Sequence, residues 1–161
     1  MLVRKLALFF IAFFIVNIAG ATAPALNETD YVIKYIPTGD LLQIKQTLNF
    51  TPENVKVYLE RHNQTGHDYI AGVTVYGKEY ATSRGISVGD PVEKVKERYG
   101  EPNRLSGSKN RYRWISYMEE SQILKVHFYL DKESGRVVAI NLNIYPVGAP
   151  PLIVLNDGEY H

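Results

Sequence analysis

Apolar and polar residues follow two patterns along this chain. From Leu6 to Val16 the run LALFFIAFFIV is apolar without a break, whereas beyond Asp30 apolar residues mostly alternate with polar ones. Alternation at period two sends successive side chains to opposite faces of a strand, and Tyr, Val and Ile at those positions favour strands further. Strands are therefore expected at Tyr31 to Ile36, at Leu41 to Phe50, at Arg111 to Glu119, and in two hairpins spanning Val55 to Gly77 and Leu124 to Pro146. The stretch Glu101 to Asn110, with Gly107 and several Ser, Asn and Lys residues, reads as a loop.

One segment breaks the alternation. Val92, Val95 and Tyr99 recur at i, i+3 and i+7 among Glu93, Lys94, Lys96, Glu97 and Arg98, the pattern of a helix with one buried face. Asp90 is placed to cap it, Pro91 to occupy its first turn and Glu93 to complete a capping box. Gly100 and Pro102 end it.

The hairpins resemble each other at a constant shift. Lys56, Val57, Gly66 and Tyr76 of the first meet Lys125, Val126, Gly135 and Tyr145 of the second. Each turn closes on a glycine, which adopts the positive φ of a tight hairpin without strain. The expected fold is α+β: two related antiparallel three-stranded meanders with one short helix packed on the sheet. Residues 1–21 then form a signal peptide and 22–40 a lead-in. Residues 41–161 form one domain with halves 41–80 and 81–146 and a C-terminal tail.

The apolar run supports the signal. Arg4 and Lys5 precede it and Ala19-Gly20-Ala21 follows as an A-x-A cleavage site, placing the cut after Ala21. The run is about half of the ~20 residues that a membrane-spanning helix requires. Counting on to Ala21 leaves a retained anchor as the alternative, and membrane contact is expected only in that case.

Composition narrows the chemistry. There is no cysteine, which removes disulfides, thiolate metal sites and a thiol nucleophile. Basic residues number 18 against 17 acidic; without Arg4 and Lys5 the balance is 16 to 17, too even for nucleic acid, which calls for a basic stripe. His62 and His67 flank a turn with no third metal ligand in sight, and Glu119, Glu120 and Asp131 read as solvated carboxylates rather than an acid–base pair. No nucleophile elbow, zincin, P-loop or dinucleotide fingerprint occurs. No cofactor is expected. The triplets starting at Asn27, Asn49 and Asn63 are read as turn chemistry rather than glycosylation sites.

The string from Thr82 to Pro102 resembles the signature of small bacterial envelope domains of the SmpA/OmlA type, relatives of the β-lactamase inhibitory protein fold. Gly89, Val92, Val95, Gly100 and Pro102 carry the resemblance. It spans about Thr82 to Tyr145, lacks the lipobox cysteine of the lipoproteins, and has no second helix segment in the first half. It implies protein binding without catalysis, on the sheet face away from the helix.

Alternation sorts the hairpins the same way. Val55, Val57, Leu59, Val73 and Val75 fall on one face with Leu124, Val126, Phe128, Leu142 and Ile144, and are expected to form the core. The other face gathers Lys56, Tyr58, Thr74, Tyr76, Lys125, His127, Tyr129, Asn141, Asn143 and Tyr145. Tyrosine on a polar face is interface composition, although cross-strand Tyr pairs also stabilise a sheet with no partner. The expected function is an exported, non-catalytic protein-interaction module of the bacterial cell envelope or exterior, of the inhibitor or assembly-factor kind. Tyr58, Tyr76, Trp114, His127, Tyr129 and Tyr145 are its candidate contacts, with Trp114 dependent on register. A cell-wall glycan or small ligand is the alternative partner, and an enzyme ranks last.

Overall fold

The computed structural model describes residues 23–48, 52–106, 111–119 and 123–144. Nine strands and one α-helix are formed among them: β1 (Val32–Tyr35), β2 (Leu41–Gln43), β3 (Val55–Arg61), β4 (Asp68–Val75), β5 (Tyr80–Thr82), α1 (Val92–Tyr99), β6 (Arg104–Leu105), β7 (Tyr112–Met118), β8 (Lys125–Asp131) and β9 (Val137–Asn143). They build two antiparallel sheets, one of three strands in the order β2-β1-β5 and one of six in the order β3-β4-β9-β8-β7-β6. The fold is α+β, mostly β.

The second half follows the expected meander, β7-β8-β9. The first half does not. Leu41 to Phe50 was expected as a long strand beside β3, but among its described residues, 41–48, the strand covers Leu41–Gln43 and pairs with β1. After Ile44, Lys45 takes a positive φ of 67°, which turns the chain so that the Lys45 N–H donates to the Ile70 carbonyl. β1 in turn hydrogen-bonds to β5, so the lead-in forms the centre of the small sheet and buries Ile33 in the core. Arg104–Leu105, within the expected loop, is a short edge strand on β7.

One apolar cluster joins the layers. Val73, Val75, Ile115, Val126, Phe128, Ile140 and Leu142 of the large sheet meet Val92, Val95 and Tyr99 of α1 and Ile33, Leu42 and Tyr80 of the small sheet. The Tyr99 ring lies 5.1 Å from both Tyr117 and Phe128, edge-on to the latter. Both the helix and the small sheet therefore cover the same face. Leu59 departs from its expected place. A register shift between Tyr58 and Leu59 bulges the hairpin, and on the outer end of an edge strand Leu59 stays 49% exposed.

Helix α1 has the expected buried face, but a different start. Pro91 is the N-cap, in extended conformation, and no side chain caps the first turn. Asp90 instead accepts from the Ser87 N–H and from Lys94 Nζ, both at 2.8 Å. Gly100, at φ 81°, closes the helix. Its last turn carries a clasp: Arg84 donates to both carboxylate oxygens of buried Asp30, at 2.8 and 2.7 Å, and to the carbonyls of Pro24, Ala25 and Arg98. The guanidinium also sits 4.7 Å from the centre of the Tyr99 ring. This ties the lead-in to the helix.

Candidate functional site

The second face of the large sheet is built from cross-strand rows. Lys56, Thr74, Asn141, His127 and Ser116 stand opposite one another across β3, β4, β9, β8 and β7. A neighbouring row sets Tyr58, Gly72, Asn143, Lys125 and Met118 in line. Ala139, Tyr129 and Trp114 align in a third. That register puts Trp114 on this face, edge-on to His127 at 5.6 Å.

Small residues run down the middle and rings flank them. The Tyr58 ring lies close over Gly72, where an added Cβ would meet Tyr58 Cδ2 and Asn143 Cβ at 3.4 Å each. Lys56 Nζ sits 5.3 Å from the centre of the same ring. Asn141 Nδ2 donates to Thr74 Oγ1 and to the Val73 carbonyl, and Asn143 Nδ2 donates to Asn141 Oδ1.

This face was expected to be open, and it is not. Thr74 is 0% exposed, Asn141 and Asn143 3%, Tyr129 4% and His127 7%. Tyr58, Tyr76 and Trp114 are half-buried. Tyr145 lies outside the described residues. Burial, helped by the positive charge of Lys125, pushes the His127 imidazole down to about 4, so it is neutral. Burial also raises the Tyr129 phenol well above its usual value.

Among the described residues, three buried polar atoms of this face have no hydrogen-bond partner: Tyr58 Oη, Ser116 Oγ and His127 Nδ1. All three belong to side chains of this one face. No family model, curated protein or solved structure matches this chain.

Elsewhere, His62 and His67 border an open cleft of about 420 Å³ with Lys45, Thr47 and Tyr69. No group of three or more metal-ligating His, Asp or Glu side chains is found among the described residues. A wider cleft of about 690 Å³ runs beside Tyr76, between Lys78, Arg111 and Arg136 on one hand and Asp131 and Glu133 on the other. Asp131 is held down at about 2 by the Ser134 backbone N–H and then by Arg111, and its Oδ1 also accepts from the Glu133 N–H. Glu119 accepts from the Leu124 N–H and the Tyr31 hydroxyl. Both carboxylates hold turns or neighbouring strands together. Sequence reasoning did not single out Ser116 or the Asn141–Asn143 pair as site residues. Their period-two spacing with His127 and Lys125 was readable, but their burial was not.

Proposed function

We propose that the mature chain is an exported, non-catalytic protein-interaction module of a bacterial-type envelope or exterior, an inhibitor or assembly factor that binds through the face of Tyr58, Tyr76, Trp114, His127 and Tyr129. The observation that carries this reading is the set of rings, Tyr58, Tyr76 and Trp114, that stay half-buried around a sheet face whose small polar residues are enclosed. Tyr and Trp rings bury area against a partner while a polar tip stays satisfied, which is why they are enriched at interfaces.

The same residues support a role other than catalysis. Ser116 and His127 stand opposite each other, yet neither Ser116 Oγ nor His127 Nδ1 has a hydrogen-bond partner. An imidazole held near 4 is a weak base at neutral pH.

Kinship with the SmpA/OmlA-type domains belongs to the proposal, supported by a Gly100-bounded helix that precedes an antiparallel meander. Duplication of the hairpins belongs to it as well. The two hairpins share register over three equivalent pairs, Lys56↔Thr74 with Lys125↔Asn143, Val57↔Val73 with Val126↔Leu142, and Tyr58↔Gly72 with His127↔Asn141. β4 and β9 meet symmetrically about Val73↔Leu142, themselves equivalent positions.

The test is capture from envelope extract by the mature chain and by a Tyr58→Ala, Tyr76→Ala variant of unchanged circular dichroism. Loss of a specific captured protein in the variant is expected, since interface aromatics typically contribute about 2 kcal/mol or more. Undiminished capture by the variant removes this face. Pelleting of the chain with purified cell wall would instead favour the glycan reading.

A further inference from the structure

The large sheet ends in two unequal edges. β6 is two residues long and offers little to pair with, whereas β3 at the other end runs for seven residues, Val55–Arg61, with neither proline nor glycine. The edges of the small sheet, β2 and β5, have three residues each. Folds keep sheet edges from pairing by short strands, prolines and charge. β3 is long, and its charges, Lys56, Glu60 and Arg61, are of both signs.

Its outer backbone groups are evenly spaced. Antiparallel strands hydrogen-bond through alternate residues. The Tyr76 N–H donates to the Asn54 carbonyl just before β3, and the His62 N–H donates to the His67 carbonyl just after it, so even-numbered residues turn their backbone towards β4. The bulge falls on β4, where Ala71 is the extra residue between Ile70 and Gly72, and the alternation along β3 is unbroken. The N–H and C=O groups of Val55, Val57, Leu59 and Arg61 therefore point out of the sheet, where no strand lies among the described residues. Leu59 leaves its side chain exposed at the same edge.

We propose that β3 pairs antiparallel with β3 of a second copy of this chain, about a two-fold axis at Tyr58, joining two six-stranded sheets into one. Strand symmetry selects the partner. Reading outwards from Tyr58, Val57 and Leu59 are both apolar, and Lys56 and Glu60 are opposite in charge. An edge that meets itself about a two-fold needs that symmetry, and one that meets a foreign strand does not. Each Val57 then faces Leu59 of the other copy, each Lys56 faces Glu60, and the two Tyr58 rings meet on the axis. Val57 already packs on the core cluster, so the pairing lays the exposed Leu59 beside an apolar row.

Backbone geometry selects the register. An axis through a residue sets outward-pointing groups opposite one another, as the new hydrogen bonds require, whereas an axis between residues does not. With the axis at Tyr58, the Lys56–Glu60 contacts fall at non-hydrogen-bonded positions, where side chains stand closest. An axis at Lys56 or Glu60 brings like charges face to face. An axis at Val57 sets Lys56 against Tyr58, and one at Leu59 sets it against His62. The pairing uses the sheet edge and leaves both second faces to their own partner, so it goes beyond the proposed binding function and does not depend on it.

Sedimentation equilibrium of the chain purified from its producing cell should show a monomer–dimer equilibrium. Lys56→Glu and Glu60→Lys each set like charges at both contacts and should weaken the dimer on the order of tenfold. An equimolar mixture of the two variants should dimerise as the natural chain does, because each variant then meets its opposite charge. A monomer at every concentration overturns the proposal, as do a dimer that neither reversal weakens and a mixture that stays monomeric.

Cross-linking reads the register independently. The chain has no cysteine, so introduced thiols are the only ones present. Under copper–phenanthroline oxidation Tyr58→Cys should give a disulfide-linked dimer, because facing residues at a non-hydrogen-bonded position lie about 4.5 Å apart at Cα, within disulfide reach. Lys56→Cys should not link to itself, but should link when mixed with Glu60→Cys. Self-linkage of Lys56→Cys as readily as Tyr58→Cys overturns the register, and a mixture that gives no linked dimer overturns the pairing.

Discussion

At position 127 an imidazole is held neutral by burial, and this has a consequence for pH. His127 takes up a proton only near about 4 in the folded chain, against 6.5 in the unfolded one. Between those values the unfolded chain binds more protons, so the stabilising contribution is complete above about 6.5 and is lost as pH falls through the window. The full shift amounts to about 3 kcal/mol. Lys125, on the same strand, is the charge that adds to this depression, and Ser116, Asn141, Thr74 and Lys56 share the cross-strand row of His127. Urea midpoints at about pH 7 and about pH 5 should therefore fall further for the natural chain than for His127→Gln; equal falls would mean that the imidazole is not buried in its neutral form. Arg84 is the opposite case, a buried charge with every partner in place. Its side chain is 11% exposed and that of Asp30 1%. Arg84→Ala leaves the Asp30 carboxylate buried and unpaired, at a cost of about 3–5 kcal/mol. Arg84→Lys should recover only part of that, because an ammonium cannot span both carboxylate oxygens and the three carbonyls at once. Thermal melts of the two variants check this, and matching melts would place the stability elsewhere than in the bidentate pair.

The helix is the element whose register was most legible. Val92, Val95 and Tyr99 were placed on one face by spacing alone and all three are buried. Val95→Asp should cost on the order of several kcal/mol, from lost packing and an unpaired buried carboxylate. Lys96→Asp gives up only an exposed ion pair with Glu101, typically worth less than about 1 kcal/mol. Chemical denaturation of both variants should show a large gap between their midpoints, and comparable midpoints would contradict the packing of α1. Strands were less legible. Alternation located β7, β8, β9 and the two hairpins, but it carries no information about which strand pairs with which. β2 left β3 for β1 because of a backbone turn at Lys45, and Leu59 left the core because of a bulge. Lys45 carries no signature of its turn, being neither glycine nor proline, whereas the bulge at Ala71 lies beside Gly72, a strand-interior glycine of the kind that marks bulges.

For the whole molecule, the lead-in from Ala23 is held by Arg84 immediately beyond the expected cleavage point. Mass spectrometry of the protein recovered from its producing cell should show a chain beginning near Thr22; an intact Met1 in a membrane fraction would instead identify a retained anchor. Local sequence alone determined the class, the helix with its buried face, the hairpins with their glycine turns and the two-way sorting of side chains, because period and turn chemistry are properties of neighbouring residues. Tertiary structure alone decided that the lead-in joins the core, that Trp114 shares a face with His127, and that the tyrosine-rich face is buried. Exposure depends on what lies above a sheet, and residues distant in the chain determine that.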